Sequence, residues 1–159
     1  MIKTVGFSYE NSGSENMSNL QQFVVETQFK PDDSIAVNKS REIETVISVN
    51  PDGNHIKAHS PVETVIGALG SCFLINLQRY FKEKGREISD KDVQIILTGY
   101  RDPQIPKLVK IDYEVKVNSG LDFNEEDLKK FMESSSTTYK TLQGNVDISG
   151  KVMKLETLN

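Results

Sequence analysis

Cys72 is the one intrinsically strong nucleophile of the chain that stands in a suggestive place, and it is the only cysteine. A single cysteine excludes an intrachain disulfide, and no Cys/His cluster has zinc-ligand spacing. Thiol chemistry must therefore use one sulfur and a partner from outside the chain. The thiolate is the reactive form, and apolar burial alone raises a thiol's pKa and makes it inert. Cys72 lies about three turns inside a predicted helix, beyond the reach of the helix N-terminal dipole. A functional Cys72 needs a cation or base brought from elsewhere. Val65, Ala68, Leu69, Asn76 and Arg79 share its helical stripe. Arg79 leans toward it over a long reach, because helical side chains point toward the N-terminus. Lys30, Arg41 and Arg101 are candidates from across the fold or from a second chain. The competing structural reading is a small core residue.

The other polar groups have plainer readings. Glu63, at about 100° per residue, lies on the opposite side of the helix from Cys72, so a cap is its expected role. His55 and His59 flank the helix start without matching acids or cysteines, which makes a poor metal site. The run Ser134-Ser135-Ser136-Thr137-Thr138 reads as a polar helix end, and no histidine near it in sequence suggests a serine triad. No cofactor and no metal are implied.

These residues need elements to position them. Ser60-Pro61-Val62-Glu63 is a capping box with proline at the first helical position. It predicts a helix running to about Lys84, where Gly85 supplies a left-handed stop. Val62, Val65, Ile66, Leu69, Phe73, Leu77 and Tyr80 form a broad apolar face on it, and Leu74, Ile75 and Phe81 lie outside that face. The helix is thus expected to be buried on more than one side. Gly67, Gly70 and Ser71 form a separate small face. A helical glycine costs about 0.8–1.0 kcal/mol against alanine, so two of them suggest close approach of another helix.

Strands are expected at Phe23 to Phe29, closed by Pro31-Asp32-Asp33, and at Glu42 to Val49 before the turn Pro51-Asp52-Gly53-Asn54. Further strands are expected at Val93 to Leu97 and, after a turn over Gly99 to Pro106, at Val109 to Val117. Asn124 caps a second, amphipathic helix near residues 124–138, with Leu128, Phe131 and Met132 on its stripe. Val146, Ile148, Val152 and Leu155 belong to the closing strands. A short strand is expected from Lys3 to Tyr9, then a polar loop from Asn11 to Asn16. The order is that of an α+β domain. Residues 1–159 read as one domain, of which 1–19 are a partly loop-like N-terminal extension.

Length and charge restrict the function. A chain of 159 residues, 36% hydrophobic and 26% charged, is expected to fold rather than remain disordered. A net charge of −4 opposes broad nucleic-acid binding. No apolar run approaches the roughly 18 residues of a membrane span. The N-terminus lacks the apolar region of a signal peptide, so a cytoplasmic location is expected.

Ser60-Pro61-Val62-Glu63 leading to Gly67-Ala68-Leu69-Gly70-Ser71-Cys72 resembles the central helix of the OsmC/Ohr family, the osmotically inducible and organic hydroperoxide resistance proteins. Gly99-Tyr100-Arg101-Asp102 followed by Pro106 is similar to that family's strand-to-strand turn. Ser136-Thr137-Thr138-Tyr139-Lys140-Thr141-Leu142 resembles the segment that there begins Cys-Pro, and Val146-Asp147-Ile148 resembles the closing strand. The resemblance spans about residues 20–155. It implies antiparallel sheets wrapped around long central helices in an intertwined homodimer, with the helices meeting through Gly67 and Gly70. It also implies a peroxidatic cysteine at Cys72, whose sulfenic acid a second cysteine resolves. Here Ser136 takes that second place, and serine cannot form a disulfide. The glutamate that holds the family's arginine directly follows the proline, where this chain has Val62; Glu63 is one residue later. The resemblance implies that this arginine, from an early strand, stabilises the thiolate; no arginine precedes Arg41, so it has no clear counterpart here, and Lys30 and Arg41 are candidates by location, beside Arg79 on the helix stripe.

Three functions follow as expectations. The first is a one-cysteine thiol-dependent peroxide reductase or redox-responsive protein, acting on a small organic hydroperoxide with an external thiol reductant. The second is a non-catalytic dimer that binds a small hydrophobic ligand. The third is a hot-dog-type thioesterase, which the second helix near residues 124–138 argues against and an acyl-CoA hydrolysis assay separates.

Overall fold

Ser60 starts the central helix as its residues require. Its hydroxyl accepts the Glu63 N–H at 3.2 Å, and the Glu63 carboxylate accepts the Ser60 N–H at 2.7 Å. The resulting helix α1, Pro61–Glu83, has 23 residues. It stops in a Schellman motif: Gly85 has φ +72°, its N–H reaches the Lys82 carbonyl, and the Arg86 N–H reaches that of Phe81. The computed structural model describes residues 20–55 and 57–156. The strand expected from Lys3 to Tyr9 and the loop from Asn11 to Asn16 lie outside the described residues.

Two three-stranded sheets accompany α1. The first is the antiparallel meander of β1 (Glu26–Lys30), β2 (Ile35–Ser40) and β3 (Ile43–Ser48). Strand β2 is a segment the hydrophobic pattern does not announce, since Ile35-Ala36-Val37 passes at once to Asn38 and Lys39. Its pairing on both sides supplies the stability that its own alternation lacks. The second sheet has the order β4 (Val93–Asp102), β5 (Lys107–Asn118), β6 (Asp147–Leu155). Strand β4 runs on through Gly99-Tyr100-Arg101-Asp102 with a bulge at Tyr100/Arg101, so the turn is confined to residues 103–106. The expectation of purely antiparallel sheets needs correction here. Strand β6 pairs parallel to β5, because the connection from β5 passes through two helices before returning to the sheet. Those helices are α2 (Glu125–Ser135) and α3 (Thr137–Leu142). The α+β class itself stands.

The core lies between α1, the inner face of the second sheet, and α2 and α3. Ile111, Tyr113, Val115 and Val117 alternate inward along β5 as their spacing requires, and meet Leu69, Phe73, Leu77 and Phe81 of α1 with Leu128 and Met132 of α2. A side chain at Gly70 would stand 2.7 Å from Leu97 Cδ1, and one at Gly99 would strike Ile66. Within one chain, the small residue at position 70 thus accommodates the close approach of β4. Gly67 has open space beside it. The second apolar side of α1 is bare in the single chain: Leu74 is 40% and Ile75 48% exposed. The first sheet meets the rest of the chain chiefly where β3 runs alongside α1. Phe23, Val24, Val25, Phe29, Ile43 and Val46 are exposed in and beside it.

Candidate functional site

Cys72 is half-buried on α1, next in sequence to the fully buried Phe73. Opposite it, the chain breaks between α2 and α3. Ser136 is 0% exposed, has extended backbone angles, and caps α3 by accepting the Tyr139 N–H at 3.1 Å. With its oxygen so engaged, the Ser136 hydroxyl keeps a proton to offer, and it is near enough to the Cys72 sulfur to favour the thiolate. The Thr138 N–H and hydroxyl and the Thr137 N–H act on the sulfur in the same direction. Burial pushes the Cys72 thiol up, but these hydrogen bonds to the charged form outweigh it, and the thiol lies below its ordinary pKa. The largest influences that lower it are therefore uncharged donors.

One turn beyond Cys72, Asn76 is buried, its amide 3.5 Å from the Met132 carbonyl of α2. Its Oδ1 faces the Arg79 guanidinium at 3.4 Å. Arg79 is exposed, on the stripe the helical spacing assigns to it. Arg41 is at the exposed β2–β3 turn with φ 58°, and no side-chain hydrogen bond or salt bridge joins it to another described residue. Lys30 ends β1, and Arg101 is exposed at the β4 bulge. None of these cations is among the leading influences on Cys72 within one chain.

Glu63 is the cap that its position on the helix suggests, and the Ser60 backbone and hydroxyl hold its carboxyl below the usual carboxylate range. His55 shares a 2.8 Å hydrogen bond with the buried Ser48 hydroxyl, and the Ser48 N–H donates to the His59 carbonyl. Both histidines thus tie the loop before α1 to β3. Among the described residues no three His, Cys, Asp or Glu side chains are grouped to hold a metal.

Residue patterns alone do not reveal that Thr137 and Thr138 serve the sulfur. A run of five hydroxyl residues is equally compatible with a fraying helix end and with a break followed by a new cap. The one usable signal is the family resemblance that sets Ser136 opposite Cys72.

A 23-residue helix carrying a half-buried thiol, flanked by two three-stranded sheets, defines a class. The sequence model of the family described as OsmC-like protein matches residues 51–151. The chain belongs to this family. No curated protein matches it. Among solved structures, the OsmC-like protein from Mycoplasma pneumoniae superposes with a TM-score of 0.68 at 18% identity, covering 85% of this chain and 98% of that one. An organic hydroperoxide resistance protein from Elizabethkingia anophelis gives 0.64 at 12% identity, over 87% and 100% of the two chains. The organic hydroperoxide resistance protein OhrB of Bacillus subtilis gives 0.53 at 18%, over 84% and 98%. At these identities the likeness establishes the fold. No described helix is long and apolar enough to cross a membrane.

Proposed function

We propose that this chain is a thiol-dependent peroxide reductase or redox-responsive protein that works through Cys72 alone. The observation that carries this reading is the half-buried thiol held below its ordinary pKa by donors from Ser136, Thr137 and Thr138. Membership of the OsmC-like family and neighbours named as organic hydroperoxide resistance proteins support it. The Cys72 thiolate attacks the distal oxygen of an organic hydroperoxide; the O–O bond breaks, and the alkoxide leaves and is protonated to the alcohol. Cys72 is then a sulfenic acid. Ser136 cannot resolve it, so a small external thiol condenses with it, releasing water and leaving a mixed disulfide. A second thiol attacks that disulfide, freeing Cys72 and carrying off the oxidised thiol.

The working unit in this proposal is an intertwined homodimer. Leu74, Ile75 and Val65 on α1 and the apolar side chains around the first sheet call for a cover, and a second copy supplies one. The thiolate's counter-cation is then Arg79 or, across the dimer, Arg41.

A second reading is a dimer that binds a small hydrophobic ligand without turnover. It is favoured by serine at position 136 and by a cleft of about 320 Å³ between α1 and β4, walled by Gly67, Leu74, Val93, Ile95 and Leu97. Intact mass after one equivalent of an organic hydroperoxide separates the two. A gain of one oxygen, removed by a small thiol, is expected of the reductase. An unchanged mass with no peroxide consumed favours the binder and overturns the reductase.

A further inference from the structure

Glu133 is in the last turn of α2, where a negative charge opposes the helix dipole, so its place needs another reason. Its carboxylate accepts a hydrogen bond from the hydroxyl of Tyr113, and among the described residues Tyr113 is its one side-chain partner. Tyr113 is 2% exposed on β5, and its ring meets the Phe73 ring edge-on at 5.0 Å. Gly150, its partner across the parallel β5–β6 pair, leaves the room the ring uses: a Cβ there would strike both the ring and the Tyr113 carbonyl. A hydroxyl so deeply buried is costly without an acceptor, so the bond is a fixed feature of the core. Phe73 also lies 6.1 Å from the Tyr139 ring, so the residue beside Cys72 is flanked by both tyrosines. Only Ser134 and Ser135 separate Glu133 from Ser136, the residue that caps α3 and stands near the Cys72 sulfur.

We propose that Tyr113 and Glu133 form a strut that anchors the end of α2 to the sheet and thereby sets the Ser136–Thr138 donors against the Cys72 sulfur. Both are positioning residues, and the inference rests on Cys72 being the reactive group. A direct role for the Glu133 charge has the opposite sign, because a carboxylate near a thiolate disfavours it. That difference makes the strut testable.

The test is the pH profile of Cys72 alkylation by iodoacetamide in the full chain, where one cysteine makes the signal unambiguous. Y113F keeps the ring and removes the hydroxyl; E133A removes the acceptor; E133Q keeps an acceptor oxygen and removes the charge; S136A removes a donor. The strut predicts that Y113F, E133A and S136A raise the alkylation midpoint by about half to one pH unit, the range of one hydrogen bond. E133Q is expected to stay near the parent. If S136A raises the midpoint while Y113F leaves it unmoved, the strut is overturned. It is overturned too if E133A and E133Q both lower the midpoint, which is the behaviour of a bare charge, or if S136A has no effect. Thermal melts accompany each variant; should E133A fail to fold, Y113F decides. The peroxide mass experiment fails or succeeds independently of these midpoints, so loss of the reductase reading and loss of the strut are distinguishable.

Discussion

At the scale of the residue, the leading influences that lower the Cys72 thiol within one chain are neutral donors. A hydroxyl and backbone N–H groups stabilise a thiolate through directed hydrogen bonds, which are strong when the acceptor is charged. Because Ser136 accepts from Tyr139 and favours the Cys72 thiolate, it serves two ends. S136A is therefore expected to cost about 1 kcal/mol of stability through the lost cap, measured by denaturant unfolding, besides its effect on the thiol. S136C is expected to form a disulfide with Cys72 under mild oxidation, read as a loss of two hydrogens by intact mass. Disulfide geometry requires Cα atoms about 4.4–6.8 Å apart, so the crosslink reports on the separation of the two positions. Failure to crosslink in a folded variant would show that the two side chains do not meet.

At the scale of the element, the two glycines that allow close approach differ in what they face. An added methyl at Gly70 meets a terminal methyl of Leu97, which can rotate away, and it gains the helix propensity of alanine, about 1 kcal/mol. The two effects offset, and G70A is expected to be near neutral. At Gly150 the added methyl meets the Tyr113 backbone carbonyl, which cannot move without breaking the β5–β6 pairing. G150A is expected to cost about 1–3 kcal/mol or more, and equal unfolding midpoints for the two variants would contradict this packing.

The Tyr113–Glu133 bond also has a consequence for pH at the same scale. Burial, and then the Glu133 carboxylate, hold the Tyr113 phenol well above its ordinary pKa of about 10. Above that pH the unfolded chain releases a proton that the folded chain keeps, so stability is present below about pH 10 and falls as pH rises further. Tyr139 is shifted in the same direction, by burial and then by Glu133. Y113F is expected to lose part of the alkaline decline above about pH 10 in thermal melts, with the Tyr139 share remaining.

At the scale of the whole molecule, a single chain leaves apolar surface bare in two places that a second copy can cover at once. These are the Leu74–Ile75 side of α1 and the first sheet. The proposed dimer predicts that G67L, which finds open space within one chain, leaves the chain able to fold but weakens association. I75E is expected to act the same way. Sedimentation velocity at micromolar concentration reads both. A parent protein that sediments as a folded monomer would remove the dimer and, with it, Arg41 of a second chain as a thiolate partner.

Local signals were legible wherever a few adjacent residues carry the whole physical cause. The capping box at Ser60 and Glu63, the left-handed stop at Gly85, the alternation from Ile111 to Val117 and the Asn124 cap all depend on near neighbours, and each appears in the structure. Cys72 and, through a family resemblance, Ser136 could be singled out in the same way. What tertiary structure decided depends on approach across the fold. Strand β2 exists because two partners flank it, and β6 runs parallel because α2 and α3 return the chain to the same edge. Gly70 leaves room for Leu97, which leans on it from β4. The break at Ser136 and the donors it turns toward Cys72 belong with these, since a serine and threonine run permits either a cap or a fraying end, and only the surface it meets chooses between them.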